Sequence, residues 1–493
     1  LDVTIILFLI GGLFLGWSLG ANDAANVFGT AVGTRMVSFA LAAVVCSIFV
    51  ILGAVVSGAG AAHTLGKLGA INTVAGAGMA ATAAAVTVYW MTRLGLPVST
   101  TQAIVGAIIG WNLFTDSPTD IGSLIRILAT WVICPVLAGI VGALLFKGSE
   151  ALVHRMKPHL FRLDAYTRLA LILAGAFGAY SLGANNIANV MGVFLFSNPF
   201  TSFDSDGGIT FSATQQLFLL GGLAIAVGVI TYSKRVMITV GQELVPLSPV
   251  GAWVVVIAHS IVLFLFASQT LEHWLARSGM PTIPLVPVSS SQVVVGAVIG
   301  IGLLKGGKGI RWRVLSKIAS GWVTTPIIAC IVCFISLFFL QNVFNQKIYE
   351  DAPYLLSGPA LEYLERSGID VDPLASLHGV HFAGLKSFKQ ALEGKAELDR
   401  STTAEILQVA RLEHIKIDPA RLDKLDELSL DDSQKAAVRR LAGQSFDYPW
   451  MLADALSKQS PAWRIRPETT VNKIFNRDIV EKRQELYRVF TAR

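Results

Sequence analysis

The chain has 493 residues, of which 53% are hydrophobic and only 15% charged, a balance that excludes an ordinary water-soluble protein. Residues 345–493 hold 22 basic and 23 acidic side chains, leaving 17 and 10 for the first 344. The net charge of +6 therefore belongs to the apolar part, where basic residues mark cytoplasmic loops rather than a nucleic-acid surface.

In chain order, the first half offers apolar segments near Thr4 to Val32, Val37 to Val56, Thr73 to Thr92, Val98 to Leu113 and Leu124 to Phe146. The first of them carries polar residues and runs on without a small-residue cleavage site, so it reads as a span rather than a leader. The second half repeats the set near Leu169 to Phe196, Ala213 to Thr231, Pro249 to Thr270, Val288 to Leu304 and Ile318 to Leu340. Most approach the ~20 residues that cross a bilayer. Because five is odd, two consecutive copies insert in opposite orientations.

Loop charges give the orientation. Lys147, Arg155, Lys157, Arg162 and Arg168 cluster between the halves, and Lys305, Lys308, Arg311, Arg313 and Lys317 follow the ninth segment. Both clusters are expected in the cytoplasm. That puts Asp116, Asp120, the loop with Asp204 and Asp206, the N-terminus and the region after Leu340 outside; a re-entrant segment that failed to cross would reverse the last assignment.

The polar residues inside the spans are also written twice. Ser18-Leu-Gly-Ala-Asn-Asp-Ala-Ala-Asn-Val27 returns 163 positions later as Ser181-Leu-Gly-Ala-Asn-Asn-Ile-Ala-Asn-Val190. In a helix, Asn22 and Asn26 are four apart and Asp23 and Asn26 three apart, so they share a face and offer hard oxygen ligands to a small cation. An ionisable group such as Asp23 at membrane depth is costly enough to signal function. Close helix packing on the Gly and Ala residues, with the amides as interhelical glue, is the plainer alternative.

The second duplication is Leu96-Pro-Val-Ser-Thr-Thr-Gln102, followed by Gly106 and Gly110, against Val286-Pro-Val-Ser-Ser-Ser-Gln292, followed by Gly296 and Gly300. Proline and hydroxyls suit the start of a short helix. Its free N–H groups and partial positive charge seat an oxyanion. Ser99, Thr100, Thr101, Gln102, Ser289, Ser290, Ser291 and Gln292 are thus candidate donors to a tetrahedral anion, joined by Asn22 and Asn185. Simple capping of buried helix ends is the bland reading of either copy alone.

At these residues the chain resembles the inorganic phosphate transporter (PiT) family, whose G-A-N-D-x-A-N type motif is matched at Gly20 to Asn26 and Gly183 to Asn189. The Pro-x-Ser-Thr-Thr element stands at Pro97 to Thr101, with its partner at Pro287 to Ser291, and the resemblance covers roughly Thr4 to Leu340. It implies cation-coupled phosphate uptake, with Asp23, Asn26, Asn186 and Asn189 near the coupling ions and the hydroxyl triplets near the anion. The chain departs from the pattern at Asn186, where the family often has aspartate, which puts the number of coupled cations in question.

The expected fold is an all-α membrane protein, an inverted-repeat transporter of about ten to twelve transmembrane or re-entrant segments, with a soluble, mainly helical C-terminal domain. Its divisions are membrane repeat 1 (1–147), a basic cytoplasmic linker (148–168), membrane repeat 2 (169–344) and the C-terminal domain (345–493). The expected function is phosphate symport by alternating access, with Na+ favoured slightly over H+ and no other cofactor or metal. The expected partners are inorganic phosphate, the coupling ion and the lipid bilayer of a bacterial-type inner or plasma membrane; a homo-oligomer stays open. A sulfate or other oxyanion permease is the nearest rival, and a receptor signalling through the tail is the next. An enzyme is disfavoured, because the spans hold no nucleophile and base pair.

Overall fold

The structure, a computed structural model, describes every residue except 1, 94–97, 202, 205–209, 244–247, 308–309, 394–399, 429, 468 and 492–493. Pro97, Asp206 and Lys308 lie outside the described residues. Among the described residues, the first 344 positions hold twelve α-helices: α1 (Val3–Gly33), α2 (Phe39–Ser57), α3 (Ala59–Gly69), α4 (Val74–Arg93), α5 (Thr100–Thr115), α6 (Ile121–Met156), α7 (Leu160–Met191), α8 (Ala213–Glu243), α9 (Pro249–Ala267), α10 (Gln269–Arg277), α11 (Ser290–Leu304) and α12 (Trp312–Asn342). Among the described residues, eight of these are long and apolar enough to cross a membrane. The protein is an integral, multi-pass membrane protein.

Two of the ten apolar segments fall short. At ~1.5 Å per residue, α5 and α11 reach only about 22 to 24 Å, against a hydrocarbon core of about 30 Å. Each starts where the hydroxyl triplet stands. Ser99 and Ser289 hold extended backbone and cap the two helices, their Oγ atoms accepting from the backbone N–H of Gln102 at 3.3 Å and of Gln292 at 3.4 Å. The short helices α3 and α10 were not among the expected segments; their Gly/Ala-rich and charged sequences hide them from a hydropathy reading.

The packing repeats as the sequence does. α1 lies along α8, and its counterpart α7 lies along α2; α5 packs on α12, and its counterpart α11 on α6. α4 contacts α1, α5 and α12, just as α9 contacts α7, α11 and α6. The approach is closest at the motif glycines, where a Cβ on Gly20 would run into the Ile225 carbonyl and one on Gly183 into the Val50 carbonyl. Gly228 and Gly53 meet the backbones of Trp17 and Tyr180 in the same way, which makes α2 and the first part of α8 equivalent.

A further duplication emerges from this packing: Trp131-Val-Ile-Cys-Pro135 in α6 and Trp322-Val-Thr-Thr-Pro326 in α12. Each proline removes one intrahelical hydrogen bond. Its own carbonyl faces a glycine of the opposite half-helix, Pro135 against Gly296 and Pro326 against Gly106. On the outer faces of the same helices, Val132, Val136, Ile140 and Leu144 match Val323, Ile327, Ile331 and Ile335, two exposed apolar stripes at four-residue spacing. Exposed apolar strips of that extent are suited to lipid tails and not to water.

One end of this bundle is tied together by carbonyl contacts. The backbone N–H of Asp120 and the Asn112 amide both donate to Leu68 O, at 3.3 and 3.2 Å. Thr73 Oγ1 and Trp111 Nε1 both donate to Ile348 O, at 2.7 and 3.2 Å. The ends of α3, α5 and α12 therefore meet the starts of α4 and α6.

The chain divides into two compact units. The first comprises Leu1–Thr201, Ser212–Glu272 and Ile283–Tyr349, and the second Ser202–Phe211, His273–Thr282 and Glu350–Arg493. In the second, helices α13 (Gly358–Arg366), α14 (Leu385–Glu393), α15 (Arg400–Ala410), α16 (Asp432–Arg440), α17 (Pro449–Gln459) and α18 (Thr470–Phe490) are joined by 3-10 segments of three to nine residues and short antiparallel ladders. Tyr354, Leu364, Phe388 and Ile406 anchor one core; Ile415, Val438, Leu456, Trp463 and Phe490 anchor another. Tyr448-Pro-Trp450 is a packing corner, with the Tyr448 hydroxyl donating to Leu355 O and Trp450 Nε1 to Val409 O.

Candidate functional site

The two motif helices and the two hydroxyl turns come together inside the first unit. Asn22, Asp23, Asn185, Asn186, Asn189, both hydroxyl triplets, Gln102 and Gln292 are all buried, and Asn26 is partly so. Polar groups at such depth need partners. Most find them in one another.

Asp23 stands at the centre. Its Oδ1 accepts from Asn22 Nδ2 at 2.9 Å and its Oδ2 from Asn186 Nδ2 at 3.3 Å, so the acid of the first copy meets the amide that replaces it in the second. Asn186 Oδ1 accepts in turn from Asn189 Nδ2 at 3.1 Å, and the same Asn189 nitrogen donates to Thr101 Oγ1 at 2.8 Å. The Thr101 hydroxyl in turn donates to Val288 O at 3.3 Å. The chain of contacts runs from α1 through α7 to the start of α5 and then to the segment that opens α11.

The reciprocal contact is made by Asn26, whose Nδ2 donates to Ser290 Oγ at 2.9 Å. Each copy's last motif asparagine thus reaches the hydroxyl turn of the other copy. Ser289 and Ser291 share a hydrogen bond at 3.3 Å.

Asn22 and Asn185 do something different from their neighbours. The Asn185 amide donates to Val286 O at 3.4 Å and accepts from the backbone N–H of Val288 at 3.1 Å. Asn22 Nδ2 likewise reaches Val98 O at 3.5 Å. Both asparagines clamp the extended backbone that leads into a half-helix, a use that sequence spacing does not disclose.

Several buried atoms in this cluster have no protein partner: Thr100 Oγ1, Gln102 Oε1, Gln292 Oε1 and Asn189 Oδ1. An unmade hydrogen bond at such depth costs roughly 1–3 kcal/mol each, so each of these atoms can take a water or a ligand. The orphaned Asn189 oxygen and the Asp23 carboxylate are ligands of the type Na+ takes, while the Gln102 and Gln292 oxygens can accept from a protonated oxyanion. The Thr100 hydroxyl beside a capped helix start is a donor of the type an oxyanion takes.

One residue here escaped the sequence reading. His259, fully buried on α9, is hydrogen-bonded through Nε2 to Ser290 Oγ at 2.9 Å, while its Nδ1 has no partner. The signal was available, since a histidine within the apolar run Val254 to Phe266 is as conspicuous as an acid within α1.

The family model described as the phosphate transporter family matches residues 19–333. The chain is 27% identical to a protein of Methanocaldococcus jannaschii named "Putative phosphate permease", over 68% of this chain and 97% of that protein. A protein of the same name from Haemophilus influenzae is 24% identical over 68% of this chain and 96% of its own length. Among solved structures, one titled "The sodium-dependent phosphate transporter" shares the fold with a TM-score of 0.54 at 24% identity, covering 69% of this chain and 100% of that one. The matched region contains both Asn-rich motifs, both half-helices and His259, and on that extent of agreement the chain belongs to the phosphate transporter family.

Proposed function

We propose that the protein takes up inorganic phosphate by cation symport, with Na+ favoured over H+, through alternating access. The observation that carries this reading is the pair of crossed contacts, Asn189 to Thr101 and Asn26 to Ser290, which joins two candidate cation motifs to two capped half-helix starts in one buried cluster. The anion is assigned to Ser99, Thr100, Thr101 and Gln102 with Ser289, Ser290, Ser291 and Gln292; the cations to Asp23, Asn26, Asn186 and Asn189. Asn22 and Asn185 are assigned to holding the two turns in place. Relatives named as phosphate permeases and a neighbour titled as sodium-dependent support the substrate and the coupling ion.

Physical necessity supports the cation. Phosphate carries between one and two negative charges at neutral pH, and an inside-negative potential opposes its inward movement by about 2.3 kcal/mol per charge per 100 mV. A co-bound cation offsets that opposition and neutralises the site. Na+ is favoured because the cluster offers several oxygen ligands, whereas a proton needs only Asp23.

Alternating access fits two oppositely inserted copies, each motif helix packed on a span of the other. The end of the bundle where Leu68, Asp120 and Ile348 meet is assigned to the outside. α6 is one unbroken helix of 36 residues that carries the chain from Asp120 to the basic linker at the other end, and basic loops stay in the cytoplasm. The chain after Ile348 accordingly continues outside.

Purified protein in liposomes, with Na+ and proton gradients imposed separately, tests the reading. Phosphate accumulation driven by an inward Na+ gradient is expected, and accumulation with neither gradient would overturn the coupling. Sulfate competition tests the rival substrate. Monohydrogen phosphate can donate a hydrogen bond to Asp23 and sulfate cannot, so excess sulfate is expected to leave labelled phosphate uptake intact.

A further inference from the structure

The two copies of the motif differ in charge at one position, and the structure puts that difference in direct contact. Asp23 and Asn186 are equivalent by the internal repeat, and Asn186 Nδ2 donates to Asp23 Oδ2 at 3.3 Å. The orientation of the amide is fixed from its other end, since Asn186 Oδ1 accepts from Asn189 Nδ2. Its N–H therefore faces the carboxylate by construction. The two motifs and two hydroxyl turns together contain a single carboxylate.

Resting on the symport reading above, we infer that Asn186 sets the number of cations carried per phosphate, by supplying to Asp23 the positive partner that a further cation would otherwise supply. The reasoning starts from two facing acids. Two carboxylates at hydrogen-bonding distance cannot both stay ionised unless a cation stands between them or one is protonated. Replacing one oxygen by an amide N–H turns that repulsive contact into a donor–acceptor contact and removes the need for the ion. Both Asp23 oxygens already accept one amide donor, from Asn22 and from Asn186, and each keeps a further lone pair for a cation ligand. Asn189 Oδ1, buried and without a hydrogen-bond partner, is a further oxygen ligand in the cluster. One carboxylate with neighbouring amide oxygens suits one cation at this contact; a second acid opposite would recruit one more.

The test compares the charge moved per phosphate, read as the reversal potential of phosphate flux in liposomes at clamped pH. Asn186→Asp is expected to raise that charge by one and to increase the Hill coefficient for the coupling cation. Active Asn186→Asp protein with the wild-type charge per phosphate would overturn the proposal. Should Asn186→Asp be inactive, the exchange variant Asp23→Asn/Asn186→Asp decides, because it moves the lone acid across the contact without changing the count. Recovery of at least ten-fold over Asp23→Asn, at the wild-type charge per phosphate, supports the proposal, and no recovery in a protein of normal size-exclusion profile overturns it. Failure of the wild-type protein to accumulate phosphate on any cation gradient would instead sink the symport reading itself.

Discussion

Asn189 Nδ2 lies 2.8 Å from Thr101 Oγ1, so an amide on α7 orients a hydroxyl at the start of α5. Asn26 does the same for Ser290 from α1 to α11 at 2.9 Å. Each hydroxyl turn is reached by motif asparagines of both halves, Asn22 and Asn189 at the first and Asn185 and Asn26 at the second, so one hydrogen bond on each side links the halves.

Thr101→Val keeps the shape and removes that link, leaving the Asn189 N–H short of a partner. Removing a buried partner costs roughly 1–3 kcal/mol, so uptake efficiency is expected to fall about ten-fold or more, with Thr101→Ser restoring most of it. Initial rates against phosphate and Na+ concentration, measured in liposomes, check this.

Asp23→Asn is expected to abolish gradient-driven uptake while the protein still inserts. Taking away one partner of a buried charged contact predicts a loss of about 100-fold or more. Uptake at wild-type rate by this variant would remove Asp23 from the mechanism.

Gly183→Ala places a methyl against the Val50 carbonyl and forces α7 away from α2. Such overpacking is expected to cost about 1–3 kcal/mol, visible as a lower unfolding temperature in detergent. Gly148→Ala is the control, because a Cβ there meets nothing within 4 Å; its unfolding temperature is expected to stay level or rise slightly.

Shortening the chain distinguishes a transporter with an appended domain from a receptor that needs it. A protein ending after Glu350 is expected to retain uptake. One ending at Asn345 loses the Ile348 carbonyl to which Thr73 and Trp111 donate, and is expected to be less stable because the buried Trp111 N–H is left unsatisfied. Uptake and thermal unfolding of the two truncations check this.

In the C-terminal domain, Asp431 closes a capping box at the start of α16 with Gln434. Partial burial disfavours its charge, yet the Gln434 backbone N–H, the Ser433 hydroxyl and the Lys482 charge outweigh that and hold its pKa below the usual carboxylate value. A depressed folded pKa means stability present above the unfolded pKa and lost as pH falls through the folded one. Asp431→Ala is expected to cost about 1 kcal/mol at neutral pH and to show no further loss across that acid range. Hydrogen exchange of the α16 amides, corrected for intrinsic pH dependence, measures both.

How much of this was legible beforehand depends on which signals are local. The paired Asn motifs and capped half-helices can be read directly, because a carboxylate or a run of hydroxyls inside an apolar span has few innocent explanations. The backbone contacts of Asn22 and Asn185 cannot be read from local spacing, since those carbonyls lie 76 and 101 residues away. His259 and the Trp131/Pro135 and Trp322/Pro326 pairs were in plain view but lay outside the motifs that drew notice. The short helices α3 and α10 have too little hydrophobic contrast for any window to isolate them.

The halves are not mechanical twins. Gly58 interrupts the first copy between α2 and α3, whereas the corresponding stretch of the second copy, α8, continues unbroken past Ser233. The first copy is written as two helices where the second runs on as one, so the two halves are alike in packing and unlike in continuity.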